Sequence, residues 1–506
     1  MKKFFAWTFI LLCVLTVPAA AGQASIRIEE PVGLDRSGWP AGLGFPFAKG
    51  ELRDLSSLVV SSPEGKPVPV QSKVLSRWPD GSIRWAHILF QVDLRRQAVE
   101  DWNLEWKTGK KAPAPRETVK VRQNAGSILV TAGGVETELA AAGGSLFRSV
   151  KINGKEALDL SRKTEFVLTT ADGRVFRSGA QNATRLTVEE SGPLRAIVRT
   201  EGVHKAEDGT SLFEYVCRLF FHAGSPWFEV EYGFVNKESA ETTGIASLTL
   251  SVPLAPVRSP YLGLTSEYKI DRFYEFRGPF SIYSGAEDLF GVFGGARIFT
   301  ADGTEMLGMG YESEVRARWW ADSSTAERGL TVSIQEMTQN YPKAIRVSPE
   351  TVNIDLYPAK EKKPLAFHQG WQKTHTLLMY FHEGNGKDAQ SRELCFKWQA
   401  QVIPWSPYHV ASGSLGDLFP YSPEKYPMIE RALRGWFSAY ESGVGRGMID
   451  YGDTTGSGSG ERANFMQNNA FDTSWVAYLL FLRSGERRYW QRARSAALHT
   501  ADIDIV

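Results

Sequence analysis

Between about Glu117 and Gln401 the chain repeats one pattern, in which short β-branched and aromatic runs are cut by Gly, Asn and Asp. The runs T-V-K-V, S-I-L-V-T, R-A-I-V-R-T, W-F-E-V-E-Y-G-F-V and A-S-L-T-L-S-V are its clearest members. Many short strands with turn residues between them predict a large antiparallel β-sandwich, here over residues 117–402. The segment from Ser25 to about Trp106 is also rich in short strands, and Asp80-Gly81 marks a tight turn between two of them. Pro40 and Pro46 suit loops or edge strands. Lys107 to Arg116 is basic and Pro-rich and reads as a linker, so the first domain is set at residues 25–110. No internal repeat is visible.

The character changes after Pro404 and Pro407. Glu424 to Tyr440 reads as a helix, with Pro427 in its first turn and Met428, Leu433, Trp436 and Tyr440 near one face. The loop G-D-T-T-G-S-G-S-G follows; it lacks the Lys-Ser/Thr of a phosphate loop and reads as a flexible connection. Two more helices, joined at Ser484-Gly485, form an αα-hairpin, the first carrying Trp475, Tyr478, Leu479 and Leu482 at helical spacing. The stop at Ile505-Val506, in apolar sequence and after about three helices, reads as a partial helical domain over residues 410–506.

At the other end, Lys2 and Lys3 precede an apolar run from Phe4 to Val17, then Pro18 and Ala19, Ala20 and Ala21. This is the pattern of a secretory signal peptide over residues 1–21, and the run is short for a membrane span. The expectation is a secreted or periplasmic protein with no membrane attachment after processing. Cys13 would leave with the leader; Cys217 and Cys395 sit in strand-like apolar contexts and read as buried thiols, although export permits a disulfide. The formal charge is +1, and loss of Lys2 and Lys3 takes it to about −1. No global basic field exists for nucleic acid, so an acidic partner must be held locally. The 15 Trp and 17 Tyr suit stacking on sugar rings, and equally suit large sandwich cores.

Three stretches together resemble one family. They are G-F-P-F-A-K-G-E-L with R-W-P-D-G-S-I-R-W; Q-N-Y-P-K with W-Q-K-T-H; and Y-G-D, N-N-A-F-D and L-R-S-G-E-R-R-Y-W-Q-R-A-R. The chain is similar in these to the exo-rhamnogalacturonan lyase and YetA-like family. The resemblance implies a multi-domain β plus α fold: a RIFT-type β-barrel, a central β-sandwich and a C-terminal α/α toroid. It also implies β-elimination at a uronic acid in rhamnogalacturonan-type pectin, with an acidic polysaccharide or oligosaccharide as substrate. The alternatives are a glycoside hydrolase, resting on Asp450, Asp453 and Asp472, and a non-catalytic carbohydrate-binding protein.

Elimination needs a group that neutralises the uronate carboxylate, a base for the C5 proton and an acid for the leaving O4. In W-Q-K-T-H-T-L-L-M-Y-F-H, read as a strand, Trp371, Lys373, His375, Leu377, Met379 and Phe381 share one face. Lys373 and His375 are the candidate catalytic pair, at the polar end expected to reach a cleft or edge, with Tyr341 as candidate acid. Ordinary readings, a solvated Lys, a hydrogen-bonded His and a loop Tyr, stand beside these. R-A-R-W-W puts Arg316, Arg318 and Trp320 on one strand face able to grip an acidic sugar, or else at a solvated edge beside a core Trp. Trp371, Tyr451, Asp453, Asn468 and Asn469 complete the candidate substrate-binding set. The loops holding Asp450, Tyr451, Asp453, Asn464, Asn468, Asn469 and Asp472 serve equally as helix caps, Asp472 before T-S-W-V above all. His499, Asp502 and Asp504 form a sparse metal-like set that suits a helix end better. The residues imply no cofactor; calcium can be named, with no residue pattern to support it. No G-x-S-x-G, H-E-x-x-H or C-x-x-C occurs, which argues against esterase, zinc peptidase and thioredoxin-like chemistry.

Overall fold

The computed structural model describes residues 22–180, 185–255, 261–265, 273–276, 278–285, 296–309, 319–361, 363–384, 399–404, 406–442, 446–456, 465–470 and 472–505. The leader, Arg316, Arg318, Cys395 and Asn464 lie outside the described residues.

The first unit pairs two sheets around an aromatic core. One has the strand order Gln401–Pro404, Gly22–Glu29, Val99–Trp106, Val59–Ser61, Pro67–Val68; the other has Arg36–Pro46, Ile83–Leu94, Val70–Arg77. Between them Phe45, Phe47, Phe90 and Trp106 are buried at 0–1% exposure, which makes this the hydrophobic centre of the unit. The closing strand Gln401–Pro404 comes from beyond the sandwich strands in the chain.

R-W-P-D-G-S is a folding device in this unit. Gly81 adopts φ 82, a conformation that suits glycine, and donates its N–H to Trp78 O at 2.9 Å. Asp80 Oδ1 accepts the Ser82 N–H at 2.9 Å, and the Ser82 hydroxyl accepts the Gly50 N–H at 2.9 Å. Trp78 Nε1 donates to Phe47 O at 3.0 Å. The hairpin turn is thus tied to the G-F-P-F-A-K-G-E-L loop, and the two motifs work as one unit.

Past the extended segment 107–116, five short strands from Lys120–Asn124 to Lys155–Glu156 form one sheet. Eighteen strands, from Glu165–Thr170 to Gln372–His382, form a continuous antiparallel system. Both contribute to a single core that includes Val130, Leu139, Phe166, Tyr232, Ile354 and Phe381. Cys217 is a free, fully buried thiol within it. Trp227, Trp320, Leu378 and Tyr380 instead pack into the core of the first unit, with Trp39 stacked on Trp227 at 5.0 Å. Trp320 is 0% exposed and therefore cements the junction. The expectation that it grips a sugar is corrected, because no face of its ring is open.

The junction also carries a partly buried acid. Glu229 Oε1 lies 3.8 Å from His222 Nε2. Burial lifts the Glu229 carboxyl from 4.5 to about 7 and lowers His222 to about 3. An acid with a raised folded pKa costs stability once the unfolded chain ionises. The penalty is absent below about pH 4.5, grows as pH rises, and is complete above about pH 7. Glu229→Gln should therefore gain melting temperature relative to the parent as pH is raised through this window. Parallel curves from thermal melts across the window would contradict the assignment.

The C-terminal part is helical. Pro427–Ser442, Thr473–Ser484 and Arg487–His499 are its longer helices, and a π-turn at Thr500–Asp504 extends the last. The second and third form the expected hairpin, closed by Gly485 with φ 75. The buried faces differ from the predicted ones. Met428 (82% exposed), Trp436 and Trp475 face outward, while Phe437, Ala477, Leu480, Phe481, Tyr489 and Ala493 form the core. The inward stripe of the first helix is Glu430, Leu433 and Phe437, and Glu430 is buried because Arg483 clamps it at 2.6 and 2.9 Å.

Candidate functional site

The strand Gln372–His382 is flanked by Trp227–Val235 from Gln372 to Tyr380, with Phe234 opposite Lys373 and Tyr232 opposite His375. Its second neighbour, Gly329–Ile334, pairs only as far as Leu377. At the Lys373 end the chain 335–342 turns away, and the π-turn at Thr500–Asp504 fills the gap. Asp502 accepts the Thr374 N–H at 3.0 Å and its hydroxyl at 2.8 Å, and Gln372 Nε2 donates to Ala501 O at 2.6 Å.

Lys373 and His375 share one face, as predicted, but they do not reach a cleft. They are 3% and 4% exposed. The physical reason is the π-turn, which closes over this end of the strand. Lys373 Nζ lies 3.6 Å from Asp502 Oδ2, and both side chains are almost wholly buried. Burial pulls the Lys373 pKa down, against the opposing pull of Asp502, Glu336 and Asp450. Lys343, 0% exposed, donates to Asn340 O at 2.6 Å and Pro342 O at 3.1 Å. Burial, then the charge of Lys373, pushes its pKa well down. His375 is held neutral by burial, Lys343 and Lys373, and its Nε2 makes no hydrogen bond among the described residues. Two lysines and a neutral imidazole are thus gathered in one low-dielectric cluster.

Tyr341 precedes Lys343 by two residues, and its phenol feels the charge of Asp450. The segment after the first long helix docks on its backbone, with Met448 N–H donating to Tyr341 O at 2.7 Å and Gly447 N–H to Gln339 O at 2.8 Å. The phenol is half-buried, and burial and the Asp450 charge raise its pKa. Asp450 is raised too, by burial and by Asp453, against His499 and Lys373. A neutral phenol, a carboxyl reluctant to ionise and cationic groups behind them form a site able to move protons at an anionic substrate.

The other predicted residues hold this arrangement in place. Asp453 is 0% exposed; it accepts the N–H groups of Thr454, Asn468 and Asn469 at 2.6–2.9 Å. Asn469 is buried, with Nδ2 donating to Ala496 O at 3.3 Å. Substrate contact is corrected for both, since each spends its polar atoms on the fold. Asn468 is exposed, at φ 50. Tyr451 faces Glu336 and Arg494, and burial followed by the Glu336 charge raises its pKa well up. Arg494 donates to Glu336 Oε1 at 2.9 Å and Gln335 Oε1 at 3.1 Å, tying the last helix to the loop that carries Tyr341. Gly452, at φ 96, lets the turn approach that helix, because a Cβ there would stand 2.2 Å from Ser495 O. Trp371 is half-buried against Phe367 and His368. Asp472 precedes its helix at φ 53 but makes no side-chain cap bond, so the expected cap is not formed. His499 approaches Asp504 (3.1 Å) and Asp453 (3.8 Å), while Asp502 turns to Lys373. Among the described residues no three His, Cys, Asp or Glu side chains converge on a metal position. Lys343, Glu336 and the Lys373–Asp502 pair escaped the sequence reading; only the Lys that ends Q-N-Y-P-K hinted at the first.

Barrel, sandwich and helical hairpin in this order define a modular β protein with an appended helical part. Residues 36–99 match the PcRGLX-like N-terminal RIFT barrel domain, and residues 119–261 match the PcRGLX-like central β-sandwich domain. YetA of Bacillus subtilis (strain 168) is 26% identical over 260 residues, which are 49% of this chain and 28% of YetA. The two matched domains and the likeness to YetA support a relation to the PcRGLX/YetA-like family. Among solved structures, an alpha-mannosidase from Enterococcus faecalis V583 aligns with TM-score 0.42 and 10% identity over 76% of this chain and 46% of its own. A galactose 1-epimerase from Lactobacillus acidophilus NCFM aligns with TM-score 0.31 and 10% identity over 53% of this chain and 99% of its own. The chain thus spans less than half the length of YetA or of the mannosidase that it matches.

Proposed function

We propose that the protein is a carbohydrate-active polysaccharide lyase that cleaves rhamnogalacturonan-type pectin by β-elimination at a uronic acid. The observation that carries this reading is the half-buried Tyr341–Asp450 pair, backed by Lys373, Lys343 and neutral His375. In the reaction the Asp450 carboxylate takes the C5 proton, the C4–O4 bond breaks as the C4=C5 double bond forms, and the Tyr341 phenol gives its proton to O4 and regains one from Asp450. Lys373, held beside Asp502, supplies positive potential for the carboxylate from behind. His375 acts as a positioning residue. A hydrolase needs two carboxyls facing the bond, and Asp453 is fully buried on backbone N–H groups. The family name supports a polysaccharide substrate, and the leader-like residues 1–21 support export.

Rhamnogalacturonan incubated with the protein should yield unsaturated uronate products that absorb in the ultraviolet. Saturated products would establish hydrolysis instead, and binding without turnover would establish a binding protein. Tyr341→Phe should lower turnover about 100-fold or more with an unchanged melting temperature. A variant with parental turnover would remove Tyr341 from the mechanism.

A further inference from the structure

On the opposite face of the strand that carries Lys343 lies a polar trough of about 250 Å³. Alternation along Lys343–Val347 turns Lys343 and Ile345 to one side and Ala344 and Arg346 to the other. Ser281 stands across from Arg346, and Tyr283 across from Ala344. The short side chains of Ser281 and Ala344, each across from a taller one, Arg346 and Tyr283, make its floor.

The polar groups are not equally occupied. Asp355, 3% exposed at its side chain, accepts Thr249 Oγ1 at 2.7 Å and Arg346 Nε and Nη2 at 2.7 and 2.8 Å. The Glu361 carboxylate accepts the Tyr283 hydroxyl. Both carboxylates are therefore committed. Arg346 keeps 52% of its side chain exposed and its Nη1 uncommitted among the described residues. Lys360 is exposed, with Nζ over the rings of Phe299 and Tyr283. The Ser247 and Ser281 hydroxyls make no hydrogen bond among the described residues. Two cations and the Ser281 hydroxyl thus line a space just below the ~300–1,000 Å³ of sites that enclose drug-sized ligands.

We infer that this trough binds a single carboxylate-bearing sugar ring, a uronate unit, at a place separate from the Tyr341 site. Arg346 and Lys360 take the carboxylate, and Ser281, across from Arg346, takes a ring hydroxyl. The inference stands on the trough alone and does not depend on the elimination chemistry. As a second site on the same molecule it would raise the effective concentration of an acidic polymer near the first.

Ligand-observed NMR titration with sodium galacturonate tests this, because the monosaccharide has no glycosidic bond to cleave. The parent should bind galacturonate and not galactose. Ser281→Trp, which fills the floor, and Lys360→Glu, which reverses an exposed charge, should each weaken binding at least tenfold; Lys360→Glu should leave the melting temperature unchanged. Galacturonate binding that survives both substitutions overturns the inference, as does equal binding of galactose or no binding by the parent. Binding lost only in Lys373→Met would place the sugar at the Tyr341 site, overturning this inference while leaving the proposed function standing.

Discussion

Lys373→Met should lose both turnover and stability. The substitution leaves Asp502, 2% exposed, with two hydrogen bonds from Thr374 and no cation. Breaking a buried pair from one side costs about 3–5 kcal/mol, and the surviving bonds place this case near the lower limit. Turnover should fall about 100-fold or more through loss of positive potential behind the site. A double variant, Lys373→Met with Asp502→Asn, separates the two effects. Removing the orphaned charge should restore much of the melting temperature while turnover stays low. Recovery of turnover in the double variant would show that Lys373 matters only for folding. A parental melt for Lys373→Met would show that the pair contributes nothing.

Asp453→Ala should be the most damaging substitution in the helical part. Its carboxylate receives three backbone N–H groups, and Arg492 braces the same turn by donating to Gly452 O at 2.7 Å. Hydrogen bonds to a charged group contribute roughly 1.5–3 kcal/mol each, so the loss should exceed ~3 kcal/mol. Chemical denaturation followed by tryptophan fluorescence would measure it. A variant that folds like the parent but has lost activity would instead return Asp453 to the chemistry and favour the hydrolase alternative.

The features that were legible in the sequence are local ones. Alternation within W-F-E-V-E-Y-G-F-V fixes a strand and its inward face without reference to any partner, and Asp80-Gly81 fixes a turn. Lys373 and His375 on one face follow from the same period of two. Their burial does not, because the covering π-turn lies more than a hundred residues away and no spacing rule links Asp502 to Thr374. The helix faces were misread for a related reason. Met428, Trp436 and Trp475 are the large apolar residues at helical spacing, yet the buried stripe of the first helix includes Glu430, a charge that only the distant Arg483 makes tolerable inside. Trp320 is a further case, because the unit packed against its ring lies more than two hundred residues earlier in the chain.

The strand Gln401–Pro404 has a consequence for the order of synthesis. Gly22–Glu29 emerges from the ribosome early and pairs with Val99–Trp106 on one side. Its other edge stays open until residue 404 has been made, because the partner for Ile26 to Glu29 is Gln401–Pro404. The domain that starts first therefore finishes only after the whole sandwich has been translated. In the interval it presents unpaired N–H and C=O groups beside Ile26 and Ile28, the kind of edge that recruits other chains. Nascent chains arrested before residue 401 should be held more strongly by chaperones than chains arrested far enough beyond residue 404 for that strand to clear the ribosome.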